Sequence, residues 1–514
     1  MDKNADRKAP TPLTDVVIAG GTLTAWIAAA RLASAFPDTV RITVLETADR
    51  PSIQVTALAP TAQRDLFDPL GVFEDEWMRA ADASFSAAVK YTDRSAPHTH
   101  VYVPRSSPLP DCEGFPLSDA WTLRRACGQT VEPADRACFR EPPLMDAKKS
   151  PRWLDGRAAI AYGWHADTTM LTHFLRVKAV RTRGVRLLTG DLLGADRDAH
   201  GRVTSLHTTR GTLAADLVLD CTGESRLLIA GVLAEPFTDE TGLVPADSTV
   251  TLTAPHDSAL HGVEPYTTAT ATPAGWTWRL PLLGRYGAGL AYASARTTPD
   301  EAARQLLDTH GARDTPARAA HTRHRPGRPR RSWVHNCVAL GAAAGLTDPL
   351  AEDHAATLDL LDRLIRDFPS PDRPDAPAAR FNRAAAAHHE RALDLLRLRH
   401  PARHPLPLSD TARAALEAHR AGLSPTPDEQ PLRTLLTAFS PRTGGPSPAL
   451  ARHPAALRAA EEHFTRIKRH QHTLLETLPT AHDYLARLHS PRTHRTARSA
   501  ERGPLLLALP TAAD

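Results

Sequence analysis

The sequence predicts an α/β protein: a parallel sheet flanked by helices, a β-rich module inserted into it, and a helical C-terminal part. Three observations carry this prediction. First, the apolar run Asp15-Val16-Val17-Ile18-Ala19 ends in glycines and leads into the alanine-rich stretch Ala25 to Leu32. A second apolar run, Arg41 to Leu45, then closes on Glu46. Strand, glycine turn, helix and acid-ended strand is how a Rossmann-type dinucleotide-binding sheet begins, with glycines admitting a pyrophosphate and the acid meeting a ribose. Second, strand-like runs recur at Ala215 to Gly223 and at Cys337 to Gly341, where such a chain returns to its first sheet. Third, alternating patterns and prolines mark residues 85–140 and 245–300, whereas from Asp348 onward apolar residues fall at helical spacing, as in Ala356 to Ile365 and Thr411 to Ala421. The division expected is 1–350, a dinucleotide-binding module with the β-rich region (about 85–140 and 245–300) inserted, and 351–514, a mainly helical cover.

Composition narrows the function. With 514 residues, 42% hydrophobic and 23% charged, the chain can bury a large core. A net charge of +4, from 62 basic and 58 acidic residues, is too mild to indicate nucleic acid as a partner. The basic run Arg323 to Arg331 lacks interleaved aromatics and reads as a structural turn. Five widely spaced cysteines with no C-x-x-C pair argue against a disulfide framework or zinc site. His388, His389, His400 and His404 lack metal-ligand spacing and read as a solvated helix face, so no metal is expected. No apolar run approaches the roughly 20 residues of a membrane span, and the polar start Met1 to Arg7 has no leader character. The expectation is a cytoplasmic protein without a membrane partner.

The most distinctive segment is Gly275-Trp276-Thr277-Trp278-Arg279-Leu280-Pro281, in a chain with only eight tryptophans. It resembles the Trp-x-Trp-x-Ile-Pro signature of flavin-dependent tryptophan halogenases, with Leu280 in the isoleucine place. His261 to Tyr266 and Leu283 to Gly287 are similar to the same family on either side. The resemblance implies an FAD-dependent monooxygenase-like fold, FAD as cofactor, and a small aromatic or natural-product intermediate as substrate. It also implies a flavin reductase or carrier protein as partner and a place in secondary metabolism such as antibiotic biosynthesis.

The family's functional positions carry over unevenly. In the first loop, Gly20, Gly21 and Ala25 fit the nucleotide fingerprint, but its second glycine is Thr22. That β-branched residue is expected to crowd a pyrophosphate and to resist glycine-type backbone angles. Glu46 keeps the ribose-acid position. The second element, Gln54 to Ala59, stands where the family has Gly-Val-Gly-Glu-Ala-Thr to lay against the flavin; both glycines and the glutamate are gone. The third element, Leu340 to Leu350, keeps Gly341 and Asp348-Pro349. Weak FAD binding is the expectation.

In the family a lysine presents electrophilic halogen to the indole and a glutamate assists proton loss from the ring. The lysine strand maps onto Ala83 to Tyr91, read as one strand, and places Ser86 at the lysine. Lys90 matches a second family lysine and lies about 13 Å further along a strand. The Glu-Pro-Leu-Glu-Ser-Thr-Gly run maps onto Asp348 to His354, with Ala351 at the glutamate, Glu352 at the serine, Asp353 at the threonine and His354 at the glycine. Two carboxylates there would occupy the free N–H groups of a helix start and repel halide. Glu352, Asp353 and His354 form either an acid/base cluster for new chemistry or ordinary capping acids beside a surface histidine. His100, Tyr102, Trp276 and Trp278, with Trp121 nearby, are the aromatic candidates for a substrate pocket, core packing being the alternative. After residue 400 only Phe439, Phe464 and Tyr484 are Phe, Tyr or Trp, which gives free tryptophan little to stack on.

The function expected is that of a halogenase relative that has lost halogenation and tight FAD binding. It would be repurposed for altered, including cofactor-independent, chemistry, or would be a pseudoenzyme. The alternatives are an active flavin-dependent halogenase or monooxygenase whose missing groups come from elsewhere in the chain, and a scaffold subunit partnering an active halogenase.

Overall fold

The computed structural model describes residues 13–47, 54–93, 96–105, 108–244, 246–312, 319–347, 354–369, 375–399, 407–423, 432, 436–437 and 445–490. The apolar run at the N-terminus forms strand β1 (Asp15–Ala19), followed by helix α1 (Leu23–Ala35) and strand β2 (Arg41–Glu46). Helix α1 is apolar on nearly every side because it lies under the sheet, and Ala25 to Ala30 are almost wholly excluded from solvent. β1 sits centrally in a six-stranded sheet in the order Arg186–Thr189, β2, β1, Leu217–Asp220, Cys337–Ala339, Trp333–Val334. All pairs are parallel except the last. This is the Rossmann-type arrangement expected.

A second sheet of seven strands draws on distant segments. Its order is Ala320–Arg323, Ser248–Pro255, Arg285–Tyr292, the tryptophan strand Gly275–Pro281, Tyr266–Ala271, Ala88–Asp93 and Ala96–Pro104. A third sheet has three strands in the order β3 (Val55–Leu58), Gly163–Asp167 and β4 (Ser84–Ser86). Residues 83–91 are therefore not one strand. Ala87 breaks the run, its N–H donating to the Pro265 carbonyl at 2.8 Å and its carbonyl accepting from Arg105 at 2.9 Å. The chain thus passes from β4 in the small sheet to Ala88–Asp93 in the large one.

Helices Ala355–Arg366, Asp375–Arg399, Asp410–Arg420 and Pro454–Thr477 make up much of the rest. His389, read as solvated, is instead buried, with Nε2 2.5 Å from Glu240, and its neighbour His388 lies 2.7 Å from Asp359. The arginine run packs as a structural turn, with Arg331 on Glu235 and Arg325 on Asp239. Among the described residues no helix is long and apolar enough to cross a membrane.

Candidate functional site

Gly20 closes β1 with φ +128°, a conformation side-chain-bearing residues rarely adopt, and a Cβ there would lie 2.3 Å from the Cys221 carbonyl oxygen. Cys221 is held in turn because Asp220, fully buried, accepts from the backbone N–H groups of Thr222, Leu228 and Ile229 at 2.8–3.0 Å. A Cβ at Gly21 would lie 2.8 Å from the Thr47 carbonyl oxygen and 3.0 Å from the Glu46 side chain. Thr22 has φ −77° and ψ 170°, ordinary extended angles, so the expected backbone conflict does not arise. Only its side chain distinguishes it from glycine, and that side chain reaches back to the Cys221 carbonyl at 3.5 Å. Ala25 is buried in α1. Glu46 is not a loose surface acid: the Trp26 indole N–H donates to it at 3.3 Å and Arg176 at 3.2 Å. Gly341, at φ +59°, lets the third element close onto Thr24 in the first turn of α1. Asp348 lies outside the described residues.

At the other end of this cradle, β3 carries Thr56 and helix Ala355–Arg366 begins at His354. Thr56 Oγ1 and His354 Nε2 are 3.2 Å apart although 298 residues separate them in sequence. Both are buried, at 7% and 6% exposure, so His354 is not the surface histidine of the capping reading. His354 has φ +61°, left-handed and open to glycine but costing another residue about 1 to 2 kcal/mol. Ala351, Glu352 and Asp353 lie outside the described residues.

The lysine position lies on the far side of the small sheet. Ala57, His165 and Ser84 are in register across it, so Ser84, Ser86 and His165 share one face while Thr56 points from the other. Ser86 is fully buried and accepts from Arg105 Nε at 3.1 Å. The same guanidinium donates through Nη2 to Thr267 at 3.1 Å. Thr267 lies 2.8 Å from His165 Nε2, and His165 Nδ1 lies 3.3 Å from the Pro281 carbonyl. The carbonyl can only accept, so Nδ1 carries the proton and Nε2 accepts from the Thr267 hydroxyl. Burial, reinforced by the nearby Arg105 charge, pushes His165 down to about 3 and keeps it neutral. A cation therefore stands beside Ser86, supplied by a residue 19 positions away that the linear motif did not reveal.

The four aromatics proposed as one pocket do not meet. Lys90, Tyr102 and Arg279 lie in register with Thr268, whereas Trp278 lies in register with Ala269 and Tyr91. Alternate residues point to opposite faces of a strand, so His100 and Tyr102 occupy one face of the seven-stranded sheet and Trp276 and Trp278 the other. On the first face His100 meets Tyr102 edge-on, Lys90 lies over the Tyr102 and Tyr266 rings at 5.5 and 5.8 Å, and the Tyr102 hydroxyl donates to Asp146 at 2.9 Å. Burial lowers the Lys90 pKa. On the second face Trp276 packs with Leu393 and Leu396, and Trp278 with Val55 of β3. Trp121 is elsewhere again, donating to the Glu132 carbonyl at 2.9 Å. Asp167, beyond His165, caps the following helix through the Met170 N–H. A cleft of about 420 Å³ at the opposite end of the parallel sheet, lined by Thr14, Phe36, Arg41, Arg183 and Arg186 among others, includes none of these residues.

The tryptophan halogenase family model matches residues 15–415. The chain is 35% identical over 523 residues to the tryptophan 6-halogenase of Streptomyces albogriseolus, covering 92% of this chain and 98% of that one. It is 34% identical over 531 residues to the tryptophan 7-halogenase of Kutzneria sp. (strain 744), covering 93% and 98%. The crystal structure of the tryptophan 6-halogenase from Streptomyces toxytricini superposes with a TM-score of 0.85 at 30% identity, over 93% of this chain and all (100%) of that one.

Proposed function

The chain belongs to the tryptophan halogenase family, and from that premise we propose that it has lost halogenation and tight FAD binding, and acts by altered chemistry on an aromatic or natural-product intermediate. The observation that carries this reading is the pairing of Ser86 with Arg105 at the lysine position. An amine accepts halogen through a free lone pair. Serine has no amine, and the guanidinium stays protonated at every accessible pH with its nitrogen electrons delocalised. Neither can carry halogen to a ring carbon as a lysine does.

What the residues can do is hold and polarise an oxygen. Ser86 and Thr267 fix two edges of the Arg105 plane, and neutral His165 fixes Thr267. A cation immobilised in this way, beside a small buried sheet, suits a carbonyl or anionic oxygen of the substrate, because its orientation is set before the ligand arrives. Gly20, Gly21 and Glu46 keep the shape of a nucleotide cradle, but Thr56 of the second element and His354 close on each other as buried side chains where the family has glycines. That contact speaks against a whole FAD at this site.

The test is the absorbance spectrum of the purified protein with and without FAD, followed by turnover of indole substrates with a flavin reductase and chloride or bromide. No retained flavin and no halide-dependent product is the expected result; halogenated product overturns the proposal. Ser86→Lys combined with Ala351→Glu restores the two family side chains and is expected to stay inactive while the cofactor is not held. The second reading, an active halogenase, is favoured by the Arg105 charge itself, which supplies a hydrogen-bond donor for hypohalous acid. On that reading the wild type halogenates and Arg105→Met stops it.

A further inference from the structure

We infer that Thr56 and His354 form a two-part plug that keeps the flavin ring system out of this site while leaving the nucleotide end of the cradle unaltered. The inference rests on the functional reading above, in which tight FAD binding is lost, and it names the residues responsible. Four observations converge. Both side chains stand at positions where the resemblance gives glycine, Thr56 in the element it lays against the flavin, here part of β3, and His354 at the end of the run that carries its glutamate. They are 298 residues apart in sequence and meet at 3.2 Å. Both are buried, so the contact occupies interior volume and not a solvent-facing rim. His354 also keeps the left-handed backbone at φ +61° that glycine adopts freely. The local path of the chain is thus the one a glycine would take, and what has been added is an imidazole.

The pairing explains why the two changes belong together. A threonine hydroxyl or an imidazole brought alone into a buried gap costs free energy unless it finds a polar partner. Each provides one for the other. Once joined, they cannot be displaced by an incoming ligand without breaking a buried hydrogen bond. The nucleotide end has no such plug: Gly20 and Gly21 keep their close approaches to Cys221 and Glu46, and Thr22 is only partly buried.

The experiment is a fluorescence and absorbance titration of full-length protein with FAD, and with ADP as a probe of the nucleotide end. The proteins compared are wild type, Thr56→Gly, His354→Gly and the double variant, with folding checked by circular dichroism. Wild type is expected to bind FAD only weakly. The double variant should gain at least about tenfold in FAD affinity, more than the two single variants combined, with ADP affinity unchanged. Tight FAD binding by wild type overturns the inference. So does a folded double variant with no gain, or a gain shared equally by ADP. If the double variant does not fold, His354→Gly, whose backbone already suits glycine, carries the test, and absence of any gain there overturns it. Tight FAD binding without halogenation by wild type would sink this inference and leave the functional proposal's loss of halogenation standing; halogenated product would sink both.

Discussion

The two ends of the cradle treat a lost glycine in opposite ways. At the nucleotide end, Thr22 replaces glycine where the backbone is already extended, at φ −77°, and its side chain stays partly exposed. At position 354, where the family resemblance gives glycine, the backbone is left-handed and the histidine side chain is buried against Thr56. The first exchange alters little beyond local volume; the second rebuilds a wall. A glycine missing from a motif therefore has no fixed meaning. It depends on whether the position uses glycine's backbone freedom, its small volume, or both.

The contrast can be broken most sharply at Gly20, which uses both. Gly20→Ala should cost about 4 kcal/mol, from an L-residue at φ +128° and a Cβ 2.3 Å from a carbonyl oxygen. Urea unfolding would reveal it, and a loss below about 1 kcal/mol would mean that this end has slack.

Acid probes how dry the lysine-position side of the small sheet is. His165 has a folded pKa of about 3 against 6.5 when exposed, so as pH falls the unfolded chain binds the proton first. Its contribution is complete above about pH 6.5 and is lost as pH falls toward 3, amounting to about 3 kcal/mol by pH 4. In His165→Gln the slope of stability against pH in that window should fall by about one proton; an unchanged slope would mean water reaches the imidazole. Smaller still is His354→Gly, where relief of backbone strain offsets the lost contact and the net change should stay within about 1 kcal/mol by denaturant titration. Thr22→Gly closes the series, within about 0.5 kcal/mol and with no gain in FAD affinity by itself.

What could be read from the sequence was whatever is local. Gly20, Gly21 and Glu46 lie within one strand-helix-strand unit, and the runs at Ala215 and Cys337 added two further strands of its sheet, whereas Arg186–Thr189 and Trp333–Val334 were not anticipated. The fate of Ser86 could not be read in the same way. Its partner Arg105 reaches it only because Ala87 breaks the run and sends the next residues into a different sheet, and no residue pattern announced that break. His354 looked like a surface residue because Thr56, which buries it, is 298 positions away. The aromatic pocket failed on parity: His100, Tyr102, Trp276 and Trp278 are all large and all on strands, yet which face each takes depends on pairing through the strand Tyr266–Ala271. Ala351, Glu352 and Asp353 could be compared with the family by position alone.

The tryptophan strand also sets a rule for how this chain can change. The Trp278 indole lies flat across Gly289 on the neighbouring strand, so closely that a Cβ at 289 would sit 1.8 Å from the ring, and Gly287 leaves similar room for Val55. No residue larger than glycine can enter position 289 while the indole remains, and a smaller residue at 278 would leave an empty slot over bare backbone. The two positions are therefore coupled by packing alone, each residue tolerable only in the company of the other, whatever chemistry the chain performs.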